Sequence, residues 1–331
     1  MKKYLFLVSM AALTFTSCSD QTTEFVGDEV AQKAREITFA PVAQPTTRAA
    51  VDGTDFPEIG MKVAAYQVEA TGGSAGEYFG AATFTKGTTY WGGSKYWPLT
   101  PAYINFLAIA NANADNETGV TWTHSTDGKV AIVMSDNSSA QRDLMYAIGN
   151  GAVTQTGNSL TFPDKVDMAF EHAQAWISFQ VKANGTPETG ITVSSITLTG
   201  AKYNGTYTVT HTNYNAKTGQ SVAGAWSALG DAQNKVVPNW TAAALTTSFV
   251  TVGDGLIVVP DDTAAGDFTS FTIAYSFDGK NYTYTYTPAS TQVEQKKHYI
   301  YQITFQLHEI LINPTVTDWA DQTATAITIQ E

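Results

Sequence analysis

Cysteine is almost absent from this chain: 331 residues hold one, Cys18. No disulfide within the chain is possible, so stability must come from burial, and this length supplies enough for two domains of ordinary size. Charge is scarce as well, at 15% of residues, and basic side chains are the minority, 18 against 30 acidic, for a net charge of -12. That balance argues against nucleic acid as a partner, because binding it needs lysine and arginine against the phosphates. It favours a soluble, exposed protein. Amphipathic helices are nearly absent; Thr241 to Thr247 is the one short candidate. The apolar stretch from Tyr4 to Phe15 is too short to span a membrane.

Catalytic patterns are missing too. Five histidines (His124, His172, His211, His298 and His308) stand in no helical metal motif, and no cysteine can join them. There is no Gly-x-Ser-x-Gly elbow and no phosphate-binding glycine loop, and Ser221 lacks the context of a nucleophile. Asp261, Asp262 and Asp267 read either as a calcium loop or as an acidic turn; EF-hand spacing is not there. The chain reads as no enzyme, and no cofactor is implied.

What is present begins with the first eighteen residues. Lys2 and Lys3 precede the apolar stretch, and Phe15-Thr16-Ser17 leads into Cys18. Charged, apolar and small-residue regions in that order make a signal peptide. An unpaired cysteine at its end reads as a lipidation site, with a chance cysteine behind an ordinary secretory signal as the alternative. A diacylated N-terminus anchors stably to a membrane.

From Glu36 the sequence turns to β-structure. Ile37 and Phe39 alternate with polar neighbours and predict a short strand that stops at Pro41. Met61 to Val68 is a candidate strand. Ile104 to Ala110 is nearly all apolar, as for a strand covered on both faces. Ile177, Phe179 and Val181 alternate, and Tyr203 and Tyr207 flank Asn204-Gly205, a hairpin turn signal. Leu256 to Val259 reads as a buried strand. Phe271 to Phe277 and Tyr282 to Tyr286 flank a second turn, Asp278-Gly279, and Tyr299 to Leu307 predicts a long strand. The fold class is therefore all-β, two sandwiches in tandem, with the boundary near Asp167 to Glu171. Ile327 and Ile329 near the end repeat the pattern of Ile37 and Phe39. The two segments could compete for one groove, or both could be ordinary strands of one sheet. Tyr90, Trp91, Tyr96 and Trp97 read either as a sugar-stacking platform or as sheet packing.

Together these residues resemble a family, the fimbrillins of the Bacteroidales, lipoprotein pilins of the FimA and Mfa type. The resemblance rests on Cys18 with a polar tether, and on Glu36-Ile37-Thr38-Phe39 with Thr47-Arg48-Ala49 after it. It rests further on Tyr96-Trp97-Pro98, Arg142-Asp143-Leu144-Met145-Tyr146-Ala147, Phe170-Glu171-His172-Ala173 and Val316-Thr317-Asp318-Trp319. It implies two transthyretin-like β-sandwich domains, residues 49–168 and 169–314. Before them would stand a signal peptide and lipobox (1–18) and a propeptide carrying the first strand (19–48). A donor-strand segment (315–331) would follow them. It implies that Cys18 carries the lipid and that an Arg-specific protease cuts between Arg48 and Ala49. The strand of Ile37 and Phe39 would be expelled, and Ile327 and Ile329 would enter the vacated groove of another subunit. The resemblance also implies an outer-membrane precursor that matures into a cell-surface fimbrium. Its partners would be copies of itself, other pilins and a host protein or glycan. The competing reading is a surface glycan-binding lipoprotein or a tip adhesin.

Overall fold

The computed structural model describes residues 34–42, 60–68, 76–88, 90–110, 120–135, 137–185, 190–261, 266–306 and 310–318. Among them every regular element is a strand. In chain order the first eleven are β1 (Glu36–Val42), β2 (Met61–Val68), β3 (Gly76–Lys86), β4 (Trp91–Tyr96), β5 (Ala102–Ala110), β6 (Val120–His124), β7 (Lys129–Met134), β8 (Met145–Thr156), β9 (Ser159–Thr161), β10 (Val166–Ala169) and β11 (Glu171–His172). There follow β12 (Ala175–Ala183), β13 (Thr192–Ala201), β14 (Gly205–Thr212), β15 (Ser221–Ser227), β16 (Gln233–Val236), β17 (Ala243–Ala244), β18 (Val250–Thr251), β19 (Leu256–Val258), β20 (Ser270–Phe277), β21 (Lys280–Tyr286), β22 (Lys297–Phe305) and β23 (Ile310–Asp318).

The first unit is built on a sheet of order β10-β1-β4-β3-β2-β5-β8-β11, with β9 beside β8, and a second sheet of order β15-β14-β7-β6. The long sheet is buried on both sides of its middle strands. Val63, Ala65, Ile104 and Phe106 join a core shared with Ile37, Phe39, Phe84 and Trp91, so β1, β3 and β4 lie over β2 and β5. On the other side Ala64, Tyr66, Leu107 and Ile109 pack on Val130, Ile132, Tyr207 and Val209 of the smaller sheet. This double covering is why Ile104 to Ala110 is apolar except at Asn105, whose buried side chain donates to Tyr214 O and Ala216 O.

The second unit is a sandwich of two sheets, β18-β12-β22-β23 with β19 and β16-β13-β20-β21 with β17. One core fills it, including Phe179, Leu198, Phe271, Ile273, Tyr301 and Phe305. β20 and β21 are joined at Asp278-Gly279, both at positive φ (50° and 69°), as a two-residue hairpin demands. Among the described strands β23 stands at the edge of its sheet, which is where Pro314 can sit without costing a ladder bond.

Several expectations change, among them the end of the first strand, which runs through Pro41 to Val42 in its pairing with β10 instead of stopping at Pro41. Asn204-Gly205 is not a hairpin turn: β13 and β14 belong to different sheets, and the chain crosses between units there. Gly205 is needed for close packing, since a Cβ would lie 2.8 Å from Leu229 Cδ2 and 3.1 Å from Ser227 O. As a result residues 205–227, assigned by sequence to the span 169–314, complete the first unit: β14 pairs with β7 from Gly205↔Met134 to Thr210↔Lys129. Thr241 to Thr247 is extended, not helical. Leu245 is buried and its N–H donates to Ile191 O at 3.0 Å, while Thr246 O accepts from Ala183 N at 2.7 Å. Those two bonds tie the segment to both sheets. The chain passes between units at His172 to Ala175, and β23 runs through residue 315 to Asp318 within its own sandwich.

Two histidines, the buried His211 and the half-buried His298, give the fold an acid limit. Burial pulls the His211 imidazole down to about 4, and among the described residues neither ring nitrogen has a hydrogen-bond partner. Burial likewise pulls His298 down to about 3; its ring stacks 3.7 Å from Trp176 and shares a 2.7 Å hydrogen bond with Ser178 Oγ. An unfolded histidine takes up its proton near pH 6.5, so acid favours the unfolded chain. Stability is complete above about pH 7 and falls as pH drops through the window from about 6.5 toward 4. Melting temperature should be flat from about pH 7 to 8 and several degrees lower at about pH 5. His211→Phe should make that acid slope shallower in a thermal melt series. An unchanged slope would contradict the assignment to His211.

Candidate functional site

The residues of β1 fill a slot inside the long sheet. β1 runs antiparallel to β4, with Thr38↔Gly92, Phe39↔Trp91 and Glu36↔Tyr96 across a register shift. It runs parallel to β10, from Phe39↔Val166 to Val42↔Ala169. Among the described residues β10 has no other strand partner in the sheet. An interior strand therefore comes from a segment separated from its neighbours by long stretches of chain.

Alternation decides which side chains face the floor of the slot. Ile37 and Phe39 are 0% exposed. The Phe39 ring meets Phe84 edge-on at 4.8 Å and Phe106 at 5.1 Å, and Trp97 stands edge-on to Phe106 at 5.8 Å. Burial of each such side chain is worth roughly 1.5–3 kcal/mol. Polar groups hold the outer face. Glu36 Oε1 accepts from Gly93 N at 3.2 Å and from Ser94 N at 3.0 Å. The two successive N–H groups share this one acceptor, and the chain leaves them through Ser94 at φ 52°. Gly92 makes room for it, as a Cβ there would lie 2.9 Å from Glu36 Oε1. Thr38 Oγ1 donates to Asp164 O at 3.0 Å, Arg35 pairs with Asp164 at 2.6 Å, and Trp97 N donates to Arg35 O at 2.9 Å.

Of the site residues named from sequence, the structure describes Ile37 and Phe39 and brings them together on one apolar floor. Cys18, Arg48, Ala49, Ile327 and Ile329 lie outside the described residues. Sequence reading missed Glu36 as a clasp and Asp164 as its neighbour's partner. The available signal was Gly92-Gly93 inside a strand run, a mark of close backbone approach.

The other candidates resolve as packing. Trp91 and Trp97 are 7% and 2% exposed, so the aromatic platform is not at the surface, and of the four only Tyr96, at 50%, is exposed. Asp267 accepts from Asp261 N and from Val293 N, and Asp261 pairs with Lys202, so both carboxylates are committed to loop contacts. Asp262 and His308 lie outside the described residues. His172 pairs with Asp143 at 2.8 Å in a buried contact, and His124 pairs with Glu77 at 2.9 Å. Among the described residues no three His, Cys, Asp or Glu side chains converge as a metal site, and no helix is long and apolar enough to cross a membrane.

Comparison with known proteins adds the following. A family model described as fimbrillin-like matches residues 47–319, so both β1 and the tail beyond 319 lie outside the matched span. No curated protein matches the chain. Among solved structures, a candidate cell adhesion protein of Bacteroides uniformis is 16% identical, with 86% of this chain and 99% of that one covered and a TM-score of 0.51. A candidate cell adhesion protein of Bacteroides ovatus is 15% identical, with 87% and 99% covered and a TM-score of 0.51. A fimbrial protein of Bacteroides vulgatus is 16% identical, with 85% and 99% covered and a TM-score of 0.50. At these identities the likeness is one of fold.

The slot geometry sets a contrast between neighbouring substitutions. Phe39→Ala should lower the unfolding free energy of the uncleaved chain by about 3–5 kcal/mol. Thr38→Ala should lower it by only about 1 kcal/mol, the worth of one hydrogen bond. Urea unfolding of both variants checks this, and equal losses would mean that Phe39 does not fill the slot.

Proposed function

The chain belongs to the fimbrillin-like family, and on that basis we propose that it is a structural subunit of a surface fimbria, of the shaft, that polymerises by donor-strand exchange after proteolysis and supports adhesion. The observation that carries this reading is the place of β1. It is an interior strand, wholly buried at Ile37 and Phe39, and the arginine of Thr47-Arg48-Ala49 follows it by a few residues. Removing it would leave unpaired backbone groups on β4 and β10 and uncover Phe84 and Phe106. Both consequences are costly in water.

A slot of that kind accepts any strand with the right alternation. Ile327 and Ile329 in the tail supply it. Two apolar anchors at roughly 1.5–3 kcal/mol each and several ladder bonds at about 1 kcal/mol each make the tail and β1 comparable occupants. Before cleavage β1 wins, because the chain holds it at high effective concentration. A cut between Arg48 and Ala49 by an Arg-specific protease removes that advantage and makes exchange one-way. The mode is strand addition, and it is head-to-tail, so the product is an open filament of this chain and other pilins. Cys18 carries the lipid that holds the exported precursor at the outer membrane, and the cut leaves that lipid behind with the propeptide. A host protein or glycan would be met by the assembled fimbria.

Three outcomes are expected. Palmitate labels the precursor and not its Cys18→Ala variant. N-terminal sequencing of assembled material begins at Ala49; material that still carries Cys18 would contradict the maturation step. Ile327→Asp with Ile329→Asp gives a folded, cleaved monomer that does not polymerise, since two carboxylates would enter an apolar slot at several kcal/mol. Filaments from that variant, seen by electron microscopy, would remove the tail as donor.

A further inference from the structure

We infer that the incoming tail runs opposite to the strand it replaces, parallel to β4 and antiparallel to β10, with Gln330 in the place of Glu36. The inference rests on the donor-strand reading above and concerns the direction of entry alone.

Five residues of β1, Glu36 to Ala40, set what the slot requires of an occupant. Glu36 gives an oxygen to the N–H groups of Gly93 and Ser94. Ile37 and Phe39 reach the floor. Thr38 hydrogen-bonds to Asp164 O, and Ala40 is the small residue opposite Asp167. Read from Glu36 to Ala40 the order is Glu-Ile-Thr-Phe-Ala. The tail read backwards, from Gln330 to Ala326, is Gln-Ile-Thr-Ile-Ala. Each position carries the same or a closely matched residue type. Read forwards, only the central three agree: Ala326 would stand at Glu36 and Gln330 at Ala40.

The end positions decide between the two directions. Turning a strand end for end within the plane of its sheet keeps inward residues inward, because alternation has period 2. Ile329 and Ile327 therefore reach the floor in either direction. Forward entry leaves the paired N–H groups of Gly93 and Ser94 facing the methyl group of Ala326. Reversed entry brings the side-chain oxygen of Gln330 to them, on a side chain of the same length as that of Glu36. The cradle admits a close acceptor because Gly92 has no Cβ: one there would lie 2.9 Å from Glu36 Oε1. The two ladders exchange character, β10 becoming antiparallel and β4 parallel, so the count of backbone bonds is similar. Reversed entry places Glu331 where Arg35 stood, near Asp164. Both side chains of the Arg35–Asp164 pair are exposed, at 45% and 84%, and charges so placed interact weakly in water.

Disulfide trapping tests the direction. Glu36 lies opposite Tyr96, and opposed strand positions are close enough for a disulfide. Cys18 leaves with the propeptide under the donor-strand reading, so assembled subunits carry only introduced cysteines. Tyr96→Cys combined with Gln330→Cys should give ladders of linked subunits on a non-reducing gel. Tyr96→Cys combined with Ala326→Cys should give none. Linkage through position 326 instead would overturn the reversed direction and leave strand exchange standing. Filaments that form with neither linkage would overturn both. If the paired variants do not assemble, a peptide of residues 320–331 with cysteine at 330 or at 326 is offered to a Tyr96→Cys subunit. That subunit also carries Ile327→Asp and Ile329→Asp and has been cleaved by an arginine-specific protease. Intact mass then reads which peptide is captured. Capture of the 330 peptide supports the inference; capture of the 326 peptide, or of neither, overturns it.

Discussion

A sheet cannot keep an empty interior place. Backbone N–H and C=O groups facing a gap between two strands must find partners, and the apolar floor beneath them must be covered. In this chain that constraint falls on β1, and the first unit depends on it. Among the described strands β10 is hydrogen-bonded to β1 alone. Phe39 closes the ring cluster of Phe84 and Phe106, and β4 has its outer edge paired only while β1 is present. The strand is thus at once required and supplied from a stretch of chain outside the fimbrillin-like match. A required element that sits at the margin of a domain is one that another chain can replace.

The two units are joined by more than a linker. The hairpin β14–β15 leaves the second unit to complete the first, and the chain then returns as β16. Asn137 N donates to Tyr203 O at 3.0 Å, Ile257 N to Gln141 Oε1 at 2.6 Å, and Lys296 N to Gln174 O at 2.9 Å. Tyr207 Oη donates to Gln295 Oε1 at 2.8 Å, and Gln295 Nε2 donates to Gly224 O at 3.1 Å. Separating the units would require unpairing β14 from β7 or extracting it from the second unit's chain path. In a filament that interlock would carry tension through the subunit without opening it.

Patterns that depend on burial alone were legible from sequence. Ile37 and Phe39 face the floor because alternation has only two faces to offer, and Ile104 to Ala110 is nearly all apolar because β5 is covered on both. Asp278-Gly279 turns the chain because both residues accept positive φ. Features that depend on long-range pairing were not legible. Asn204-Gly205 has the composition of a turn, yet its glycine serves close approach to Ser227 and Leu229 in another sheet. Thr241 to Thr247 has no strong strand signature, and it is the burial of Leu245 and two backbone bonds that hold it extended. Glu36 reads as an ordinary polar residue at a strand end, and its clasp on Gly93 and Ser94 follows only once β4 is its neighbour. Local pattern names the faces of a strand, whereas tertiary partners decide which sheet the strand joins.

The central claim is that one slot, between β4 and β10, is occupied in turn by β1 and by a second chain's tail. Amide hydrogen exchange, read by mass spectrometry in three states, addresses it most directly. Peptides covering β4 and β10 should be protected in the uncleaved precursor, exchange rapidly in the cleaved monomer, and be protected again in the filament, while β12 and β22 of the second unit stay protected throughout. Protection of β4 and β10 that persists in the cleaved monomer, or a filament in which they still exchange rapidly, would contradict the account.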